Sequence, residues 1–397
     1  MKNISATLNM ESTSQLLIAL GGILLLGLVM SALGQRTLLP RVTLLLILGV
    51  VIGKEMLDII PLIFSELFDI IAVIALLMVG FLLGGRLTID SLRQSVGKVM
   101  WISISAAIIT TLIVSLGLVW VGVSKEIAIL LGCIASATAP AAVLDVVTES
   151  NYKGPFKDLL LSIVTLDDAW ALMLFGIGVA VVTSLNSHGI DASSILMALR
   201  DIGGAIILGL LIGFPASYLT GRLKPGQPIL SEALGLVFVC GGLAIWFDVS
   251  FLIASMVLGA VITNFAKHHE YPFHAIEGID WPFMVIFFVL AGASLEFKAV
   301  AEVGLVGTVY ILGRIAGKLL GARIGSQMSS ADQQTKSWMG VALLPQAGVA
   351  IGMALVASNY FPEYRQTLLS VVISSTIFFE IIGPVFTRMA LKRAHKA

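Results

Sequence analysis

The chain reads as a succession of long apolar runs broken by short polar links. Most runs approach the ~20 residues that a helix needs to cross a hydrocarbon layer ~30 Å thick. Thirteen spans are predicted, at 14–34, 40–54, 62–85, 98–122, 126–148, 156–184, 194–221, 228–247, 249–266, 280–296, 299–325, 336–358 and 364–391. The first lacks a basic start and a small-residue cleavage site, so it reads as a retained helix rather than a leader. The few residues after span 13 predict no appended soluble regulatory domain.

Composition agrees with an all-α membrane protein. Of the 397 residues 58% are hydrophobic and 12% charged, with a mean hydropathy of +1.01, against roughly 25% charged in soluble domains. The formal net charge of zero argues against nucleic acid or an acidic partner. Cys133 and Cys240 lie within spans far apart in sequence and are expected as free thiols. Alternate short links and the tail carry 16 of the 24 Lys and Arg residues, and the opposite set carries six. The positive-inside bias therefore predicts an outside N-terminus and a cytoplasmic C-terminus in the cell's inner membrane. The two remaining basic residues, Arg314 and Lys318, fall inside span 11.

A weak repeat runs through the chain. LGVVIG at 48–53 returns as LGAVIT at 258–263, and FLLGGRLT at 81–88 returns as VLAGASLE at 289–296, with offsets of 210 and 208. These matches map span 2 onto span 9 and span 3 onto span 10. The shift of seven spans is odd, so the second copy is inverted. Six spans, a linker and six more form a transporter architecture with its site near the midplane. Spans 5 and 12 should then correspond, and each holds a proline among small residues, Pro140 in ASATAPAAV and Pro345 in LLPQAGVAIG. A proline removes a backbone donor and clashes with the preceding turn. One such proline favours a kink; two at corresponding places predict a pair of broken helices.

Two adjacent aspartates, Asp167 and Asp168, interrupt span 6 in TLDDAWALMLFG. Counted from the cytoplasmic ends, Asp167, Arg314, Pro140 and Pro345 all lie ~13–15 Å deep. A buried ion is costly unless it is paired or faces water, so such residues are functional candidates. Successive helical residues point about 100° apart. Asp167 is therefore assigned to an ion pair with Arg314, and Asp168 to an aqueous cavity. A cavity carboxylate binds either a proton or a small cation, and competition between them couples the two fluxes.

LDDAWAL, ATAPAAVLDV, ASMVLGAVITN with FFVLAGASL, GRIAGKLLGA, LLPQAGVAIG and FFEIIGPVFTRMAL together resemble the monovalent cation/proton antiporter superfamily. The likeness is to its two-aspartate prokaryotic branch, which holds sodium/proton antiporters and Kef-type potassium transporters, and it runs from about residue 15 to 391. The resemblance implies the sodium/proton antiporter fold, with inverted six-helix repeats and two crossing broken helices, assembled as a homodimer. It implies scaffold regions at 1–97 and 228–297, core regions at 98–185 and 298–397, and a linker helix in 190–223. Asp168 then binds Na⁺ or a proton, with Thr138 as a further Na⁺ ligand, and Asp167 pairs with Arg314. Na⁺ is the expected cation, K⁺ and Li⁺ the alternatives, and no cofactor is expected.

Three departures stand out. Many two-aspartate relatives carry lysine at the Arg314 position. An arginine there stays protonated; as the partner of Asp167 it would be a fixed counter-ion compatible with one-for-one electroneutral exchange, and the sequence leaves the stoichiometry open. Lys318, one turn toward the cytoplasm, either restores that lysine or, as the favoured reading, snorkels to the interface. Ala139 stands where a related branch carries a charge at the first break. Glu380 in span 13 either replaces that charge or pairs with Gln346. Asp145 is a candidate for a cation-attracting funnel beyond the first break. The segment KHHEYPFHAIEGID at 267–280 holds three of five histidines and is read as a solvated loop.

Enzyme chemistry fits poorly. An intramembrane aspartyl protease needs two carboxylates that face one another, and neighbours on one helix point apart. A cation channel, including a weakly coupled Kef-like efflux system, is a stronger rival, but channels build rings of equivalent groups. A proton-coupled symporter on the same scaffold differs in the direction of its proton response.

Overall fold

The computed structural model describes residues 10–36, 41–54, 56–60, 62–85, 87–88, 96–150, 154–186, 192–220, 229–267, 270–294, 304–346 and 348–396, and they are almost entirely helical. In chain order the helices are α1 (Met10–Arg36), α2 (Arg41–Ile52), α3 (Leu62–Gly85), α4 (Val96–Trp120), α5 (Lys125–Ala135), α6 (Pro140–Ser150), α7 (Pro155–Asn186), α8 (Ala192–Thr220), α9 (Ile229–Trp246), α10 (Phe251–Phe265), α11 (Glu270–Ala293), α12 (Gly304–Met328), α13 (Gln333–Ala342), α14 (Gly348–Tyr360) and α15 (Arg365–Lys396). Every predicted span has its helix, and spans 5 and 12 are each split in two, as α5 with α6 and α13 with α14.

The splits follow local chemistry. Pro140 is the first residue of α6, where its missing N–H costs nothing. Ser124 caps α5 by accepting from the Ile127 N–H at 3.4 Å, and Asp332 caps α13 by accepting from the Thr335 N–H at 3.1 Å. With an offset of 208, Pro140 corresponds to Gly348, the first residue of α14. Pro345 lies before that helix, in the connecting segment. The prolines are therefore not counterparts, although the breaks are.

Two boundaries move. α11 begins at Glu270, ten residues ahead of the predicted 280, so much of the 267–280 segment is helix and not a loop. His274 sits on that helix with its ring bonded to the Glu270 carbonyl at 2.7 Å, whereas His268 and His269 lie outside the described residues. α12 continues to Met328, three residues past the predicted end, and this extension matters for the site.

Glycine contacts confirm the inverted repeat. A Cβ on Gly49 of α2 would overlap the Val289 carbonyl of α11, and one on Gly259 of α10 would overlap the Phe81 carbonyl of α3. These two contacts exchange under the sequence offsets. So do a second pair, Gly84 against Met256 and Gly292 against Leu46, and a third, Gly132 against Thr111 and Gly340 against Leu319. Each glycine lets two backbones approach closely, the usual means of helix association without a hydrophobic driving force. Along the axis of the repeat, α12 packs antiparallel on α4 through Gly317, Gly321 and Gly325.

Because the obstructing atoms are backbone, Gly84→Ala and Gly259→Ala should each lower stability by about 1–3 kcal/mol. Gly21→Ala, at a position with open space around it, should stay within about 0.5 kcal/mol of wild type. Thermal unfolding in detergent micelles measures all three.

Candidate functional site

The site is assembled where the two breaks cross. The Ala139 N–H donates to the Pro345 carbonyl at 3.0 Å, which joins one interrupted segment to the other. The last turns of α5 and α13 end here, so their terminal carbonyls lack N–H donors within the helix and their ends carry negative dipole charge. Cations on α12 answer both needs.

Arg314 is fully buried and fans its donors over both breaks. Nη1 reaches the Leu344 carbonyl at 2.6 Å, and Nη2 reaches Ala137 at 2.7 Å and Pro345 at 3.2 Å. Its guanidinium lies over the Phe379 ring, 4.3 Å from the centroid, a favourable cation–π contact. One turn along, Lys318 is also fully buried; its Nζ donates to the Ser136 carbonyl and to Asp167 Oδ2, both at 2.5 Å. The Thr138 hydroxyl donates to the same Asp167 oxygen and lies 3.3 Å from the Leu343 carbonyl.

The ion pair is therefore Lys318–Asp167, not Arg314–Asp167. Lys318 does not snorkel. The helix end explains the difference: with α12 running from Gly304 to Met328, Lys318 is as close to its midpoint as Arg314 is. The planar guanidinium suits several carbonyls at once, and the compact ammonium suits one carboxylate. With a lysine as partner, the ground for electroneutral one-for-one exchange is gone.

Asp168 is brought to the same place but is fully buried rather than facing an aqueous cavity. Thr138 contacts Asp167, so its expected role beside Asp168 is not the contact made here. The helix carrying both aspartates is held to α4 by Trp170, whose Nε1 donates to Ser103 Oγ at 3.0 Å.

Gln346 and Glu380 do not meet. Gln346 donates to the Tyr310 hydroxyl at 2.9 Å and lies 3.3 Å from the Ile134 carbonyl. Glu380 instead accepts from the Thr43 hydroxyl on α2. The side chain of Asp145 lies outside the described residues. Tyr310 and Thr43 were not anticipated, since a lone tyrosine or threonine in an apolar run carries no periodic signal. Lys318 had one, its spacing of four from Arg314.

Among the described residues no group of three or more His, Cys, Asp or Glu side chains forms a metal site. The oxygen donors near the crossing are the Asp168 and Asp167 carboxylates, the Thr138 hydroxyl and the carbonyls of the breaks. That donor set suits a hard monovalent cation.

A family model described as "Sodium/hydrogen exchanger, transmembrane" matches residues 18–393. The chain belongs to that family. This exchanger-family chain is thus a multi-pass membrane transporter. It is 19% identical over 382 residues to the ammonium/H⁺ antiporter subunit AmhT of Alkalihalophilus pseudofirmus, covering 95% of this chain and 96% of that one. It is 22% identical over 332 residues to the probable Na⁺/H⁺ antiporter GerT of Bacillus cereus, covering 82% and 84%. Its fold matches the sodium proton antiporter MjNhaP1 of Methanocaldococcus jannaschii at pH 8, with a TM-score of 0.79, 20% identity, and coverage of 96% and 99%.

Removing one member of a buried ion pair strands the other. In this exchanger-family chain Lys318→Ala should cost about 3–5 kcal/mol, and Lys318→Ala with Asp167→Asn should recover a substantial part of it. Thermal unfolding of the two variants and Asp167→Asn gives the coupling; strict additivity would refute the pairing.

Proposed function

We propose that this protein exchanges protons for a small monovalent cation, sodium in the first instance, with Asp168 as the carboxylate that alternates between the two. The observation that carries the reading is the crossing of two helix breaks at mid-span beside Asp167 and Asp168. Half-helix ends, backbone carbonyls and a carboxylate together supply the ligands and charge that an alternating cation site requires.

The reading includes movement of a core past a scaffold, and the glycine contacts support that division. Within α1–α3 with α8–α11, and within α4–α7 with α12–α15, glycines meet neighbouring backbone. Between the groups they meet only side-chain tips among the described residues, as Gly348 does at Phe288, Gly352 at Leu76 and Gly176 at Ile253. Backbone-locked groups with a side-chain seam between them are suited to sliding. α8 joins the scaffold side through Gly209 and Gly213 against α10. The proposal places the tail at the cytoplasmic face of the inner membrane and takes the assembly to be a homodimer.

Lys318 adds a titratable charge beside Asp167, so the exchange is read as voltage-sensitive, with more than one proton moved per cation.

Proteoliposomes with an internal pH dye and an imposed pH gradient test this. Added Na⁺ should evoke proton movement in the wild type and none in Asp168→Asn, and clamping the voltage with valinomycin and K⁺ should change the wild-type rate. Normal exchange by Asp168→Asn would sink the site assignment. Cation flux without proton movement would make the protein a channel.

A further inference from the structure

Glu380 makes a contact that the exchange site does not use. It is 1% exposed on α15, and its Oε2 accepts a hydrogen bond from the hydroxyl of Thr43, which is 0% exposed on α2. The Thr43 backbone N–H faces the same carboxylate. Thr43 is the third residue of α2, so its N–H belongs to the first turn and has no acceptor within the helix. The carboxylate thus caps α2 and meets the positive end of its dipole. α15 belongs to the proposed core and α2 to the proposed scaffold, so this buried bond crosses the sliding seam.

The repeat supplies a comparison inside the same molecule. LLLSIV at 159–164 of α7 matches TLLSVV at 367–372 of α15 with an offset of 208, and α2 matches α10 with an offset of 210. Glu380 and Thr43 therefore correspond to Leu172 and Ile253. Those two residues line a narrow crevice between α7, α8, α10 and α14. Since the repeats are inverted, the two junctions lie toward opposite faces of the membrane. One is joined by a carboxylate hydrogen bond; at the other Leu172 and Ile253 are apolar, and the crevice they line also takes in Asp201 of α8 and Tyr360 of α14.

We propose that Glu380 is a second proton-binding carboxyl of this protein, whose ionised form latches α15 to α2 and whose protonated form releases it. The proposal rests on the exchange reading, in which the core moves past the scaffold and this bond opens in each cycle. Opening it with the carboxylate ionised strands a buried anion away from its donors, which is costly. Taking up one proton turns that anion into a neutral acid, and the separation becomes far cheaper. Leu172 and Ile253 part without any titration. A carboxyl that itself bonds core to scaffold therefore stands on the Glu380 side, while Asp201 and Tyr360 line the crevice at the other junction.

The buried charged groups near the crossing, on elements packed against α15, have other partners. Arg314 and Lys318 on α12 are turned to the breaks and to Asp167, and Asp167 and Asp168 on α7 belong to the cation site. Arg41 at the start of α2 lies 5.9 Å from the Trp281 ring centroid, and Lys336 on α13 sits in that helix's first turn. The side chains of Asp145 and Glu149 on α6 lie outside the described residues.

The test uses the full chain in proteoliposomes with the Glu380 face toward the bath, at saturating Na⁺, from about pH 6 to about pH 9. Wild-type exchange should fall at the alkaline end as the latch stays ionised, and Glu380→Gln should keep its rate there with a KM for Na⁺ within about two-fold of wild type at the optimum. Thr43→Val, which keeps the carboxyl but removes a donor, should move the alkaline limb upward by about one to two pH units, the weight of one hydrogen bond to a charged group. A Glu380→Gln profile that superimposes on wild type, with only a lower melting temperature, overturns the proposal and leaves Glu380 a static cap. If Glu380→Gln does not fold, an unshifted limb in Thr43→Val overturns it equally. Infrared titration separates this from failure of the exchange reading. A protonated-carboxyl band that grows on acidification and is altered in Thr43→Val supports the proton site even if the wild type moves no protons against Na⁺, and a band untouched by either variant refutes it.

Discussion

Everything in this protein depends on satisfying backbone carbonyls where two helices stop inside the membrane. An unsatisfied peptide group in hydrocarbon costs several kcal/mol, so an interrupted helix survives there only with donors supplied from elsewhere. Here Lys318 serves Ser136, Arg314 serves Ala137, Leu344 and Pro345, Thr138 approaches Leu343, and Thr387 donates to Ala342 at 3.0 Å. Three of these donors come from outside the broken segments. The close packing of α12 on α4, made possible by Gly317, Gly321 and Gly325, is what brings the two cations to the crossing.

The fold is nearly two-fold symmetric, but its chemistry is not. Under the offset of 208, Asp167 and Asp168 correspond to Ser375 and Thr376, Lys318 to Thr110, and Thr138 to Gln346. Each charged residue meets a buried polar counterpart without charge in the other half: Ser375 and Thr376 in the second for the aspartates, and Thr110 in the first for Lys318. An inverted repeat could have produced two equivalent ion sites on opposite sides of the crossing; the substitutions leave one. A single charged centre on the axis of a symmetric frame can be offered to either face with little difference in the packing around it.

Much of this was legible in the sequence because it rests on length and on rare residues. Apolar runs located all thirteen spans, two short matches revealed the inversion, and depth counting placed Asp167, Arg314, Pro140 and Pro345 in one layer. The ion pair was not legible, since choosing Lys318 over Arg314 needs the end of α12 to within one turn, and Arg323 offered a false end. The partners of Glu380 and Gln346 were out of reach for a different reason. Thr43 is 337 positions from Glu380, and nothing local to either residue indicates the other. Pro345 misled by resembling Pro140 in type while standing three residues before the position that corresponds to it.

The two cations one turn apart divide two tasks that a single residue could not perform together. Arg314 holds carbonyls that must be satisfied in every state of the protein, and a guanidinium, which stays protonated, is suited to a permanent bond. Lys318 faces Asp167, next to the proposed exchange carboxylate Asp168, and an ammonium shifts its proton affinity readily when buried. Exchanging the two would either freeze the charge beside Asp167 or let the crossing lose its donors whenever a proton left. With Arg314 on the breaks and Lys318 on Asp167, the proposed exchange can alter the charge of the site while the three carbonyl bonds made by Arg314 remain in place.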